Sequence, residues 1–126
     1  MVHVGELDHV VINTMDPERA VAWYCDELGL TAERLEEWRR GEVPFPSARI
    51  NDHTILDFFP AERTGENVNH VCFVIDPVDL EELKAGGRLE VLSGPDKRWG
   101  AQGIATSLYV RDPDGNTVEL RHYGEA

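Results

Sequence analysis

Apolar and polar positions along this chain fall into short strand-like blocks punctuated by two helical ones, and the whole pattern runs through twice. Leu7-Asp8-His9-Val10-Val11-Ile12 alternates too little for a half-exposed strand and is too short for a helix, which predicts a strand over residues 7–13 buried on both faces. Asp16 as N-cap and Pro17 at the first helical position open a run in which Ala20, Tyr24 and Leu28 recur at helical spacing until Gly29 ends it. Strand signals follow at about 32–37, 48–51 and 54–59, the last two joined by a tight turn at Asp52-His53. The second half repeats this order with a strand over 69–75, a helix over 77–85 stopped by Gly86-Gly87, and strands near 89–92, 105–111 and 116–122. Asp112-Pro113-Asp114-Gly115 is a strong turn signal before the last of them.

The predicted order is βαβββ twice over, an α+β fold. A chain of 126 residues with 41% hydrophobic content supports one core and is too short for two independent ones. Residues 1–126 therefore read as a single domain of two repeats, about 5–60 and 67–123, with a polar linker over 61–67. Two longer stretches, 38–46 and 94–103, carry much of the positive charge and read as irregular loops. Glycines at 94, 100 and 103 make the second the better candidate for a lid.

Composition narrows the partners. A formal charge of -12, from 24 acids against 12 bases, leaves no basic stripe for a phosphate backbone and excludes nucleic acid as a partner. No apolar run approaches the ~20 residues that span a bilayer, and the first residues lack a secretory pattern, so the expected location is the cytoplasm without membrane attachment. Cys25 and Cys72, both among apolar neighbours, read as reduced core residues.

The repeat is what gives the polar residues meaning. His9 and His70 stand at equivalent places in the opening strands, and each half closes on an apolar strand with one acid, Asp57 in the first and Glu119 in the second. A lone strand histidine is ordinarily a satisfied core residue, and a lone strand acid ordinarily points to water. Two imidazoles and two carboxylates repeated together are different, because burying them unpartnered costs several kcal/mol while a divalent cation compensates all four. Glu119 shares its face with Thr117 and Arg121, polar neighbours suited to a wet cavity. Asp57 is flanked by Ile55 and Phe59 and sits one position out of step relative to Thr54 and Thr117, so its role as a ligand stays open. His3, His53 and His122 have no repeat partners and read as surface or packing residues.

The chain over about residues 5–123 resembles the vicinal oxygen chelate superfamily, the group of glyoxalase I, the fosfomycin and bleomycin resistance proteins, methylmalonyl-CoA epimerase and the extradiol dioxygenases. Leu7-Asp8-His9, Trp23-Tyr24-Cys25-Asp26-Glu27-Leu28-Gly29-Leu30 and the run from Tyr109 through Asp112-Pro113-Asp114-Gly115 to Glu119 carry the resemblance. Gly94-Pro95-Asp96-Lys97-Arg98 with Gly100-Ala101-Gln102-Gly103 is similar to the subgroup of glyoxalase domain-containing protein 5 and bacterial virulence-type proteins. The resemblance implies paired βαβββ modules in an open eight-stranded cup around one divalent metal ion (Zn, Ni, Mn or Fe). His9, His70 and Glu119 fall on ligand positions and Asp57 on a more variable fourth. It implies too that Glu119 or Asp57 is the base that abstracts a substrate proton, and that short members pair into homodimers.

The expected activity is a metal-dependent isomerase or lyase of glyoxalase type acting on a small molecule through two adjacent oxygens. Arg49, Lys97 and Arg98 are the cations placed to hold an anionic substrate, with Gln102 and Tyr109 beside them. One competitor is an extradiol-type Fe(II) dioxygenase. Its pattern wants histidine where Gly100-Ala101-Gln102 presents Gln102, and an amide does not relay protons at neutral pH. The other is a resistance-type protein that sequesters a drug without turnover, which has no reason to keep His9, His70 and Glu119 together.

Overall fold

In each half the first strand runs parallel to the last, and the two strands between them complete a mixed sheet. The computed structural model describes residues 2–100 and 102–124; Ala101 of the 94–103 stretch lies outside them. The first half is β1 (His9–Thr14), α1 (Pro17–Leu28), β2 (Thr31–Glu33), α2 (Leu35–Arg39), β3 (Ser47–Arg49) and β4 (Ile55–Pro60). The second is β5 (Val71–Val74), α3 (Leu80–Ala85), β6 (Glu90–Gly100), β7 (Gly103–Arg111) and β8 (Thr117–Arg121). The sheet orders, β1-β4-β3-β2 and β5-β8-β7-β6, are the same topology repeated, and the class is α+β with no closed barrel. The halves form two compact units that divide after Asn67.

In the first unit α1 begins as expected, with the Asp16 side chain accepting from the Arg19 N–H at 3.0 Å, and ends at Gly29 in the left-handed region. Its inner face of Ala20, Val21 and Tyr24 is buried, and the Tyr24 ring meets Phe58 of β4 at 5.1 Å. Ile12, Ala48, Leu56 and Phe58 complete that core. The strand expected over 32–37 is cut short: β2 stops at Glu33, and Leu35–Arg39 coils into α2, where Arg39 pairs with Glu36 and with Glu18 of α1. These residues are good helix formers, and ion pairs three apart favour the coil over an edge strand. Nor is β1 buried on both faces. It is an edge strand, with Ile12 and Thr14 inside while His9 and Val11 are exposed.

In the second unit the helix starts three residues later than expected, because Asp79 caps it, accepting from the N–H groups of Glu81 and Glu82. The core is Leu80, Leu89, Leu108, Val110, Val118 and Leu120. Cys72, expected inside, is exposed on edge strand β5, and Cys25 is half-buried. The larger correction concerns 94–103. It is no irregular loop but the far end of a long β6–β7 hairpin, paired Asp96↔Ser107 through Gly100↔Gly103 after a register shift near Gly94. Gly94 has φ +95°, and a Cβ there would lie 2.6 Å from the Ser107 carbonyl oxygen, so this glycine lets the strand continue instead of breaking it.

Candidate functional site

Each sheet delivers one histidine and one acid to its own face by the same register. His9 opens β1, His70 immediately precedes β5, and two residues further on Val11 stands opposite Asp57 and Cys72 opposite Glu119. The two acids are thus register-equivalent. The one-position offset read against Thr54 and Thr117 disappears, because the strands pair from Ile55 and not from Thr54.

The histidines are oriented alike by the residue before each. His9 Nδ1 lies 2.7 Å from Asp8 Oδ2, and His70 Nδ1 lies 2.7 Å from Asn69 Oδ1. An oxygen acceptor there places the ring hydrogen on Nδ1 and leaves the Nε2 lone pair facing outward, which is how ligand imidazoles are set. The Asp8 hydrogen bond raises the His9 pKa above its ordinary value, and Asp57 adds to the rise. His70 Nε2 is 3.2 Å from Glu119 Oε1. The two atoms are close enough to be donors to one shared metal ion.

Both acids are buried at about 5% exposure and are held by a serine and an arginine. Ser47 Oγ donates to Asp57 Oδ1 at 2.6 Å, and Arg34 Nη2 donates to both Ser47 Oγ (2.7 Å) and that same oxygen (3.3 Å). Ser107 Oγ donates to Glu119 Oε2 at 2.7 Å, and Arg121 Nε donates to Ser107 Oγ (3.0 Å) and that same oxygen (3.2 Å). Burial pulls the Glu119 pKa upward, but hydrogen bonds from Ser107 and Tyr109 and the charges of Arg121 and His70 outweigh it and hold it below the usual carboxylate value. Glu119 is therefore an anion at neutral pH, with Oε2 anchored and Oε1 turned to His70. Burial, then Glu119, push the Tyr109 phenol upward, so it stays a hydrogen-bond donor.

The first half also holds a cavity of about 410 Å³, lined among others by His9, Arg34, Phe45, Arg49, Ile55 and Asp57. His53, read as a surface or packing residue, lies on its wall. Arg49 does so too, but its fork is already closed on both Glu33 oxygens at 2.9 and 3.0 Å, which takes up the charge expected for an anionic substrate. In the second half Arg98 lies 5.9 Å over the Tyr109 ring, whose edge meets His70, so Arg98, Tyr109, His70 and Glu119 form one cluster. Lys97, one residue along β6, points to the other face and is exposed. Gln102 sits in the hairpin turn, its N–H donating to the Tyr123 hydroxyl.

Three members of these sites went unread in the sequence, Arg34, Ser47 and Ser107, and a fourth, Arg121, was read only as a polar neighbour of Glu119. The serines are fully buried opposite or beside an acid, a juxtaposition that only strand register reveals. Arg121, expected in a wet cavity, is 1% exposed and its N–H groups are all engaged; it also binds the Arg98, Trp99 and Gly103 carbonyls and the Tyr123 hydroxyl. His122 is a packing residue as expected, its ring nitrogens 2.8 and 2.9 Å from the Val78 and Gly124 carbonyl oxygens.

A family model described as the glyoxalase/bleomycin resistance protein/dioxygenase superfamily matches residues 6–120. The chain belongs to this superfamily. Within it, the chain is 34% identical to glyoxalase domain-containing protein RDO1 of Mycosarcoma maydis, across 98% of the chain and 71% of that protein. It is 32% identical to virulence protein STM3117 of Salmonella typhimurium, across 95% and 85%. Among solved structures, a protein from the mobile metagenome of V. pseudocholerae superimposes with a TM-score of 0.77 at 26% identity over 99% of both chains. Members of the superfamily generally use a divalent metal. Among the described residues no three His, Cys, Asp or Glu side chains gather into a metal cluster; each half presents a pair. The chemistry of the pairs fits such an ion: imidazole nitrogen and carboxylate oxygen suit Zn, Ni, Mn or Fe, and each donor carries the outer hydrogen bonds that ligands of these metals have.

Proposed function

We propose that the chain is a divalent-metal-dependent isomerase or lyase of glyoxalase type, with the His9 and Asp57 pair and the His70 and Glu119 pair as its metal ligands. The observation that carries this reading is the duplicated pair, a histidine pinned through Nδ1 and a buried acid anchored through one oxygen. When bound, the ion supplies Lewis acidity to two adjacent oxygens of a small substrate. The protein's part is to hold and move a proton. Buried Asp57 or Glu119 serves as the base at the carbon next to the polarised carbonyl, Tyr109 donates a hydrogen bond beside Glu119, and Arg98 over the Tyr109 ring holds an anionic substituent.

Metal analysis tests this first. Purified protein is expected to hold about one divalent ion per chain, lost almost completely in His70→Ala or Glu119→Ala and partly or not at all in Asp57→Ala. Full occupancy in His70→Ala sinks the site.

The run from Tyr109 to Glu119 favours a second reading, an extradiol-type Fe(II) dioxygenase. Gln102, in the hairpin turn, is no proton relay, so the isomerase reading expects equal turnover of a small α-oxo or thiol-adduct substrate under nitrogen and in air. Rapid oxygen uptake with catechols by the Fe(II)-loaded protein, abolished in Glu119→Ala, reverses the choice.

A further inference from the structure

Two arginines stand on the wall of the 410 Å³ cavity in the first half, and only one of them is spent. Arg49 has all three guanidinium nitrogens bonded, Nε and Nη2 to the Glu33 carboxylate and Nη1 to the Asn51 carbonyl oxygen. Arg34 has a single bonded nitrogen. Its Nη2 donates to Ser47 Oγ and Asp57 Oδ1, its Nε is buried without a hydrogen-bond partner, and its Nη1 makes no hydrogen bond among the described residues. With the side chain 39% exposed on the cavity wall, the guanidinium is still open to an acceptor. Its backbone lies at φ 60°, in the left-handed region that a full side chain seldom adopts, and residues held in this way gather at ligand sites. The surface beside it is apolar: the guanidinium carbon lies 5.9 Å over the half-buried Phe45 ring, and buried Ile55 shares the wall. A few convergent polar groups over an apolar lining are what small-molecule pockets consist of.

We propose that this cavity binds a monocarboxylate with an aromatic or branched apolar body, the carboxylate accepting from Arg34 Nη1 and the body lying against Phe45 and Ile55. The sign of the charge follows from which group still lacks a partner. Asp57 is held by Ser47 and Arg34, Asp8 lies 2.7 Å from the His9 ring nitrogen, and Asp52 is within electrostatic reach of Arg49, whereas Arg34 keeps donors without an acceptor. The number of charges follows from the rest of the wall. Three acids stand there against two arginines, one of which Glu33 already neutralises, so exposed Asp8 and Asp52 repel a dianion such as a phosphate monoester more than Arg34 alone attracts it. The site belongs to the first unit alone, needs no ion on His9 or Asp57, and makes or breaks no bond in its ligand. It goes beyond the metal reading and stands or falls apart from it.

The test uses the whole chain stripped of metal by a chelator, with phenylacetate as the probe. Titration calorimetry should show saturable binding at millimolar concentration, and in nitrogen-15 spectra the Arg34 guanidinium signals should move during the titration while those of Arg49 stay. Affinity should fall about 10–100-fold in Arg34→Met, the loss of a charge-assisted hydrogen bond, and recover in part in Arg34→Lys. It should keep its wild-type value in the double variant Glu33→Gln with Arg49→Gln, whose closed pair offers the ligand nothing. Because Arg34→Met also leaves Asp57 with one donor fewer, Phe45→Ala is the second variant, and with Arg34 untouched it should weaken phenylacetate several-fold. Absence of binding by the wild type, wild-type affinity in Arg34→Met, or equal binding of neutral phenylacetamide overturns the carboxylate site. Tighter binding of phenethylamine overturns it too, since the acids then decide the charge, and phenyl phosphate bound as tightly as phenylacetate overturns the limit of one charge. Metal content enters none of these outcomes, so a failure here leaves the metal reading standing, and a failure of that reading leaves this site standing.

Discussion

Gly100 is the smallest residue on which the second half-site depends. A Cβ at this position would come 1.8 Å from Arg121 Nη1 and 2.5 Å from the Tyr123 hydroxyl, so the guanidinium fits beneath the hairpin only because the side chain above it is a hydrogen. Gly100→Ala must displace Arg121 from its carbonyls. Overpacking of this kind costs about 1–3 kcal/mol, which should appear as a melting temperature lower by at least a few degrees. A melting temperature equal to wild type would show that Arg121 yields freely and is no fixed anchor. The same residue marks a limit of reading by pattern. His9, His70, Asp57 and Glu119 were legible because the repeat doubles them, whereas Arg34 and Arg121 are not doubled: they come from different places in the two halves and converge only in three dimensions.

Among the elements, legibility followed how far each segment depends on its own pattern. Strand β4 and helix α1 carry strong apolar periodicity and a capped start, and both fold as expected. The hairpin hid its strand character behind Gly94, Pro95, Gly100 and Gly103, which read as breakers but serve as a register shift, a fitted gap and a turn. Helix α2 was hidden because its stability lies in ion pairs with α1 and not in an apolar stripe. The short strand β2 likewise leans on charge: Glu33 binds Arg49 of β3 through both oxygens, and that hydrogen bond, against a smaller effect of burial, holds the Glu33 pKa below its usual value. A depressed acid stabilises the fold above its ordinary titration range and loses that contribution as pH falls through the folded value. Both partners are about one-third exposed, so the contribution at neutral pH stays under about 1 kcal/mol. Urea midpoints should therefore separate wild type from Glu33→Gln at pH 7 and bring them together at pH 3. An equal gap at both pH values would mean that packing, not charge, joins these strands.

At the scale of the whole molecule, the acidic surface and the open strand edges make opposite demands. A formal charge of -12 keeps copies apart, and no helix among the described residues is long and apolar enough to cross a membrane. Yet β1 and β5 are edge strands of their sheets, and beside their histidines they expose Val11 at 48% and Val74 at 62%, with Leu7 at 62% and Met15 at 72% nearby in the chain. Edge strands with exposed aliphatic side chains invite pairing unless a charge or a proline blunts them, and neither β1 nor β5 contains a lysine, arginine or proline. Homo-oligomers of such chains close most simply as twofold dimers, with each patch meeting its own copy. We therefore expect a symmetric dimer in sedimentation at micromolar concentration, dissociating in Val11→Lys or Val74→Lys and favoured by added salt, which screens the acidic repulsion without weakening the apolar contact. A wild-type monomer at that concentration refutes it. If the dimer forms and the lysine variants lose both the dimer and the bound metal, the ligands come from two chains; if they lose the dimer but keep the metal, each chain holds its own ion.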